Sequence, residues 1–188
     1  DQIGPLDTAD ANGVRLATGF TSRIVAESGS APVSRSSYIW HPAPDGGAIF
    51  ATSTGGWIYV SNSEVSNTGG VGALVFDADG NVIDAYSILE NTDRKCAGVP
   101  TPWNTWLSCG EVDAGYVWEC DPVGVEPAIR RDALGVFKHE AAAVDLTTNI
   151  IYMTEDERDG GFYRFIPDAV DANGVPNLNV GELQIASV

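Results

Sequence analysis

Short runs of β-branched and aromatic residues alternate along the chain with breaks rich in Gly, Asp and Asn, and three of these runs share one pattern. They read WIYVSNSE from Trp57 to Glu64, NTWLSCGE from Asn104 to Glu111 and NIIYMTEDE from Asn149 to Glu157. Each places an aromatic (Tyr59, Trp106, Tyr152), an apolar residue (Val60, Leu107, Met153) and a hydroxyl (Ser61, Ser108, Thr154) in succession. A glutamate stands three residues further on in each: Glu64, Glu111 and Glu157. The hydroxyls lie 47 and then 46 residues apart. A second run follows each first one: GALVFD from Gly72, GYVWECD from Gly115 and GFYRFIPD from Gly161. Such residues favour the pleated, half-buried surface of a sheet.

A period of roughly 40–50 residues built from short strands predicts propeller blades. A helical solenoid of similar period would show apolar residues at three-and-four spacing, and the chain does not. The expected fold is therefore all-β: one β-propeller segment over residues 1–188, with about three to four blades and units near 37–90, 91–135 and 136–188. Propellers typically use about 4–8 blades, so the segment reads as a partial ring: a fragment, a cleavage product, or a subunit completed by a second chain. The tetrapeptide Asp-Ala-(Asn/Asp)-Gly recurs at Asp10, Asp77 and Asp171. Asp77 and Asp79 look like the start of a calcium loop, but Gly80 comes too early and Ile88 stands where the closing Glu belongs. A tight turn with its glycine at positive φ is the reading.

Composition narrows the picture. With 44% hydrophobic and 19% charged residues, the chain can bury a core, and its 21 Gly and 10 Pro match many turns. No apolar run approaches the ~20 residues needed to span a bilayer. The chain begins at Asp1 without a basic-then-apolar leader, as a processed exported protein or a trimmed one would. The net charge of −16 repels nucleic acid and anionic lipid. An acidic protein can still bind a phosphate ester where bound cations invert the local field. Three cysteines leave two readings: a Cys109–Cys120 disulfide across a turn near Gly115 with Cys96 left over, or three reduced buried thiols.

In a propeller the innermost strands of all blades start around one channel, so residues at equivalent strand starts converge. Cys96 and Glu140 precede their repeat hydroxyls by 12 and 14 residues, and the first unit offers His41, 20 residues before Ser61. With Glu64, Glu111 and the Glu155–Asp156 pair they form a mixed ligand set. Carboxylates suit Ca²⁺ and Fe³⁺, and a thiolate adds preference for a transition metal. Singly, each has a plainer reading: Cys96 as a small buried hydrophobe, the glutamates as solvated strand ends, His139 and Glu140 as loop residues. Rival chemistry lacks motifs. There is no Gly-x-Ser-x-Gly elbow and no phosphate-binding Gly-Lys-Ser/Thr loop. A triad would have to recruit His41 or His139 without one, and nothing specific marks a glycosidase carboxylate pair.

The stretch CAGVPTPWNTWLSCGE from Cys96 to Glu111 resembles the PhoX-like alkaline phosphatases. So do GGWIYVSNSE (Gly55–Glu64), GGVGALVFDADG (Gly69–Gly80), YVWECDP (Tyr116–Pro122), LGVFKHEAAAVD (Leu134–Asp145) and YMTED followed by FYRF. The resemblance implies an exported, secreted or periplasmic protein with a six-bladed propeller that hydrolyses phosphate monoesters with Fe³⁺ and Ca²⁺. It implies Cys96 as a thiolate ligand to iron, Glu140 as a second iron ligand and Glu111 as a carboxylate of the cluster, with Glu64 and Asp156 as further metal residues. It covers about the first half of a typical member. It therefore places further ligands and a substrate-binding arginine outside this chain, and implies that the chain alone is inactive. Lys95 replaces an expected Asn, Val99 and Asn104 replace glycines, and Gly110 replaces an acid. Those departures motivate a second reading, a non-catalytic extracellular metal-binding or structural propeller. A third is an ester or lactone hydrolase using Ca²⁺ alone.

Overall fold

A computed structural model describes residues 4–186. Among them the chain forms three four-stranded antiparallel sheets, each a simple meander. The first holds β1 (Pro44–Ala51), β2 (Trp57–Ser63), β3 (Gly69–Phe76) and β4 (Val82–Thr92). The second holds β5 (Lys95–Pro100), β6 (Trp106–Gly110), β7 (Val117–Cys120) and β8 (Ile129–Arg130), and the third β9 (His139–Val144), β10 (Ile151–Glu155), β11 (Phe162–Pro167) and β12 (Gly181–Ile185). One 3-10 turn, Asp132–Leu134, is the only helical element among the described residues, and no helix is long and apolar enough to cross a membrane. The first strands lie side by side, β5 packing against both β1 and β9. This is the blade arrangement of a propeller, and its ring is open.

Strand alternation builds the interfaces between blades. On β2, Ile58 and Val60 face the second sheet and meet Trp106 and Cys120, while Trp57 and Tyr59 face the opposite way, toward Trp40 and Ala26 of the N-terminal segment. On β6 the same rule sends Trp106 back to the first sheet and Leu107 and Cys109 forward to Ile151, Met153 and Phe165 of the third. The aspartate tetrapeptides are turns. Asp77 Oδ1 accepts from the backbone N–H of Asp79 and of Asn81, at 3.0 and 2.8 Å, with Gly80 at φ 80°. Asp10 and Asp171 make the same pair of bonds.

The disulfide reading fails for a geometric reason. Cys109 pairs in register with Val117 and Cys120 with Trp106, so the two thiols sit on opposite faces of the second sheet, in different cores. All three cysteines are free. Thiol titration of unfolded, unreduced protein should therefore count three reactive groups; a count of one would contradict this arrangement.

Candidate metal centre

Each innermost strand carries an irregularity at the same place. Pro44 pairs with Ser63 and Gly47 with Ser61; Lys95 pairs with Gly110 and Gly98 with Ser108; His139 pairs with Glu155 and Ala142 with Met153. In all three the first strand spends one more residue than its partner, which is a β-bulge. A bulge leaves its extra residue off the ladder and re-aims the side chain. The residues re-aimed are Asp45, Cys96 and Glu140. Cys96 Sγ lies 3.9 Å from Asp45 Oδ1 and 3.6 Å from Glu140 Oε1. Glu111 joins them: ligand atoms of Cys96, Glu111 and Glu140 all lie within 4.8 Å of one another.

A second set of equivalent residues follows the second strands. Glu64, Glu111 and Asp156 each donate a backbone N–H to the residue before a first strand: Ala43, Arg94 and Lys138. Their side chains form an arc of alternating charge. Arg94 Nη2 bonds Glu64 Oε1 and lies 3.5 Å from Glu111 Oε2; Lys138 Nζ lies 3.8 Å from Glu111 Oε1 and 3.4 Å from Asp156 Oδ2. Arg94, Glu111 and Lys138 line an open cavity of about 520 Å³. Glu111, 7% exposed, thus belongs to both sets, facing Cys96 and Glu140 on one side and the two cations on the other.

Cys96 is 8% exposed and has carboxylates on three sides. Burial, then Asp45, Glu140 and Glu111, hold its thiol far above the ordinary range. Burial likewise raises Glu111, with Asp156, Glu64 and Glu140 adding to it and Arg94 opposing. A sulfur and three acids gathered this closely repel one another as anions, and a cation among them removes that conflict.

The structure therefore brings Cys96, Glu111 and Glu140 together and sets Glu64 and Asp156 beside Glu111 through Arg94 and Lys138. His41 and His139 stand apart from them. His41 Nδ1 meets Tyr38 Oη at 2.9 Å, and His41 Nε2 meets Ser61 Oγ at 3.2 Å; Ser61 is fully buried, so the pair offers no nucleophile to solvent. His139 is also buried, its ring against Phe137 at a tilt of 33°. Glu140 is a strand residue, not a loop one. In the third unit the register counterpart of Glu64 and Glu111 is Asp156, one residue before Glu157, because Met153 occupies the position of Ser61 and Ser108. Glu157 reaches only Lys138, at 3.9 Å. Asp45 was missed. It stands 19 residues before Glu64, whereas Cys96 and Glu140 stand 15 and 16 before Glu111 and Asp156, so a longer first hairpin hides the match.

The departures from the family pattern acquire local reasons. Lys95 and Gly110 are register partners, and the Lys95 amine lies 5.7 Å from the Trp118 ring centroid and 3.5 Å from Tyr116 O. A Cβ on Gly110 would stand 3.1 Å from that amine, so the missing acid makes room for the lysine. Asn104 sits at φ 63° in the β5–β6 turn, a conformation Asn tolerates better than most residues. Val99 packs against the core between the second and third sheets.

With this geometry in view, comparison with protein families finds a match to the family "Alkaline phosphatase PhoX" over residues 110–188. The chain resembles the PhoX phosphatases. The matched part begins at the last residue of β6 and includes Glu111, Glu140 and Asp156. The PhoX match leaves out Cys96, the stretch on which the sequence resemblance leaned most, and the first sheet. No curated protein and no solved structure matches the chain.

His41 gives this region a pH signature. Burial holds its imidazole down to about 4, while the unfolded chain takes the proton near the ordinary 6.5. The folded state therefore keeps its full stability above about pH 6.5 and loses it as pH falls toward 4, by about 3 kcal/mol from this one group. Urea unfolding at pH 7 and 4.5 should show a smaller loss in His41→Gln than in the parent. An equal loss would mean that another group sets the dependence.

Proposed function

We propose that this chain supplies part of the metal centre of a phosphomonoester hydrolase of the PhoX kind, in an exported protein whose propeller is completed by further blades. The observation that carries the reading is the convergence of Cys96, Glu111 and Glu140 from two different sheets onto one small volume. Their donor chemistry fits a cation well. One sulfur with two carboxylates suits iron, and calcium is the second metal that the resemblance implies beside it. Cys96, Glu111 and Glu140 would hold the iron, with Asp45 close enough to add an oxygen. Bound there, a hard cation supplies Lewis-acid stabilisation of the charge that builds on a phosphoryl group.

The chain's own residues do the rest. The carboxylates hold the positive charge in place, and the Arg94 and Lys138 side chains flank the open cavity where a phosphate ester would approach. A fixed guanidinium and ammonium beside an acidic site orient an anion and offset the net charge of −16. Glu64 and Asp156 keep those two cations aimed, each by a direct ion pair.

Freshly purified protein should contain iron and calcium, and iron-loaded protein should show a visible thiolate-to-iron absorption band. Cys96→Ser should abolish the band, and Glu140→Gln should weaken iron binding by about tenfold or more. Hydrolysis of 4-nitrophenyl phosphate by the protein with its complete ring should fall at least a hundredfold in both. Protein that takes up neither metal would overturn the proposal.

A further inference from the structure

Asn62 is fully buried and makes four hydrogen bonds with its amide. Its Nδ2 donates to the carbonyls of Cys96, at 2.5 Å, and Ala97, at 3.0 Å. Its Oδ1 accepts from Trp106 Nε1, at 2.9 Å, and Ser108 Oγ, at 2.8 Å. The two carbonyls it serves are those of the bulge on β5, where residues between Lys95 and Gly98 fall outside the regular pairing with β6. A bulge carbonyl buried without a partner would cost a full desolvation penalty, so the amide both satisfies and fixes this backbone.

The three blades give an internal comparison. The register counterparts of Asn62 are Cys109 in the second sheet and Thr154 in the third. The amide is thus present only behind the bulge that carries the sulfur. The same bulge is also packed closely by β1: a Cβ on Gly46 would meet Ala97 Cα at 2.7 Å and Cys96 O at 2.9 Å. The single amide oxygen accepts both of these bonds, so the amide cannot rotate without breaking the bonds to Trp106 and Ser108.

We infer that Asn62 is a positioning residue for Cys96: it fixes the backbone that presents the thiol to Glu111 and Glu140. The inference rests on the reading of Cys96 as a metal ligand. Where a backbone carries a soft ligand, its rigidity decides how well sulfur and carboxylates meet one ion, and outer contacts of this kind are typically worth about 10–100-fold in affinity. Asn62→Asp keeps the shape and the acceptor for Trp106 and Ser108 but removes both donors to the β5 carbonyls. Ser108→Ala leaves the donors and releases one of the two bonds that orient the amide.

The test is a cobalt(II) titration of the whole chain, read by the thiolate-to-cobalt absorption band, with circular dichroism to confirm folding. Asn62→Asp should bind cobalt about tenfold or more weakly, with a shifted or weakened band, and Ser108→Ala should show a smaller change in the same direction. Should Asn62→Asp not fold, the Ser108→Ala band decides. Parent protein without any thiolate band would sink the metal-ligand reading itself. A parent band with unchanged affinity and spectrum in the folded variants would overturn the positioning role alone. A fall in thermal stability with an unaltered band would show that Asn62 merely holds the sheets together.

Discussion

Where β1 passes β5 there is no room for a side chain, and the rest of the axis is arranged around that close approach. Gly46 faces the Cys96–Ala97 backbone directly, and any larger residue would overlap Ala97 Cα. The contact is close because both strands bulge there, one residue after Pro44 and one after Lys95. A regular ladder would alternate side chains between the two inter-blade cores and leave nothing aimed along the strand starts. The bulge breaks the alternation once in each first strand, and the residue released is in each case a potential ligand: Asp45, Cys96 or Glu140. Packing and chemistry thus share one cause. The apolar residues beyond the bulge, such as Leu107, Ile151 and Phe165, press the sheets together, and the bulges turn that pressure into a convergent set of donors.

Electrostatics then sets what such a set can be. Burial first, and then the crowding of anions at this spacing, push Cys96 and Glu111 toward protonation. Arg94 and Lys138 compensate only from the side of Glu64 and Asp156, leaving Cys96 and Glu140 facing each other. Positive charge is therefore supplied at the mouth and is short at the sulfur. Lys95, the residue next to Cys96, does not fill the gap, because its amine is turned to the Trp118 side and tucked over Gly110. Its own burial lowers it to about 8, and at neutral pH it keeps its charge, but on the far side from the thiol.

Much of this was legible in the chain. The recurrence of aromatic, apolar and hydroxyl positions marks β2, β6 and β10, and the runs that follow mark β3, β7 and β11. Cys96, Glu111 and Glu140 could be grouped because equivalent strand starts must converge in a radial fold. The errors have physical reasons. The sequence pattern of the third unit runs one residue out of register because TEDE offers three acids in a row, and a match at any of them looks the same in sequence. Asp45 was passed over because hairpin length varies freely at the rim, whereas the bulge that aims it belongs to backbone pairing and has no residue signature. Of the two cysteine readings the three buried thiols hold, and the disulfide fails on parity: adjacency of strands says nothing about which face a thiol occupies.

Asn62 shows the same limit from the other direction. In sequence it is one polar residue in a strand, between two serines and beside a candidate ligand, Glu64. Its partners come from two other strands, 34 to 46 residues away, and no period links them. The cost of burying an amide would argue for placing it at a turn, where Asn usually serves the local backbone. It is tolerated in a core because four bonds saturate it, and two of those bonds go to the carbonyls of the neighbouring sheet's bulge. Removing the bulge would orphan the amide nitrogen, and removing the amide would orphan the bulge carbonyls. Such mutual dependence ties the first two blades together at the point where the sulfur is presented, and it couples the precision of the site to the interface between sheets.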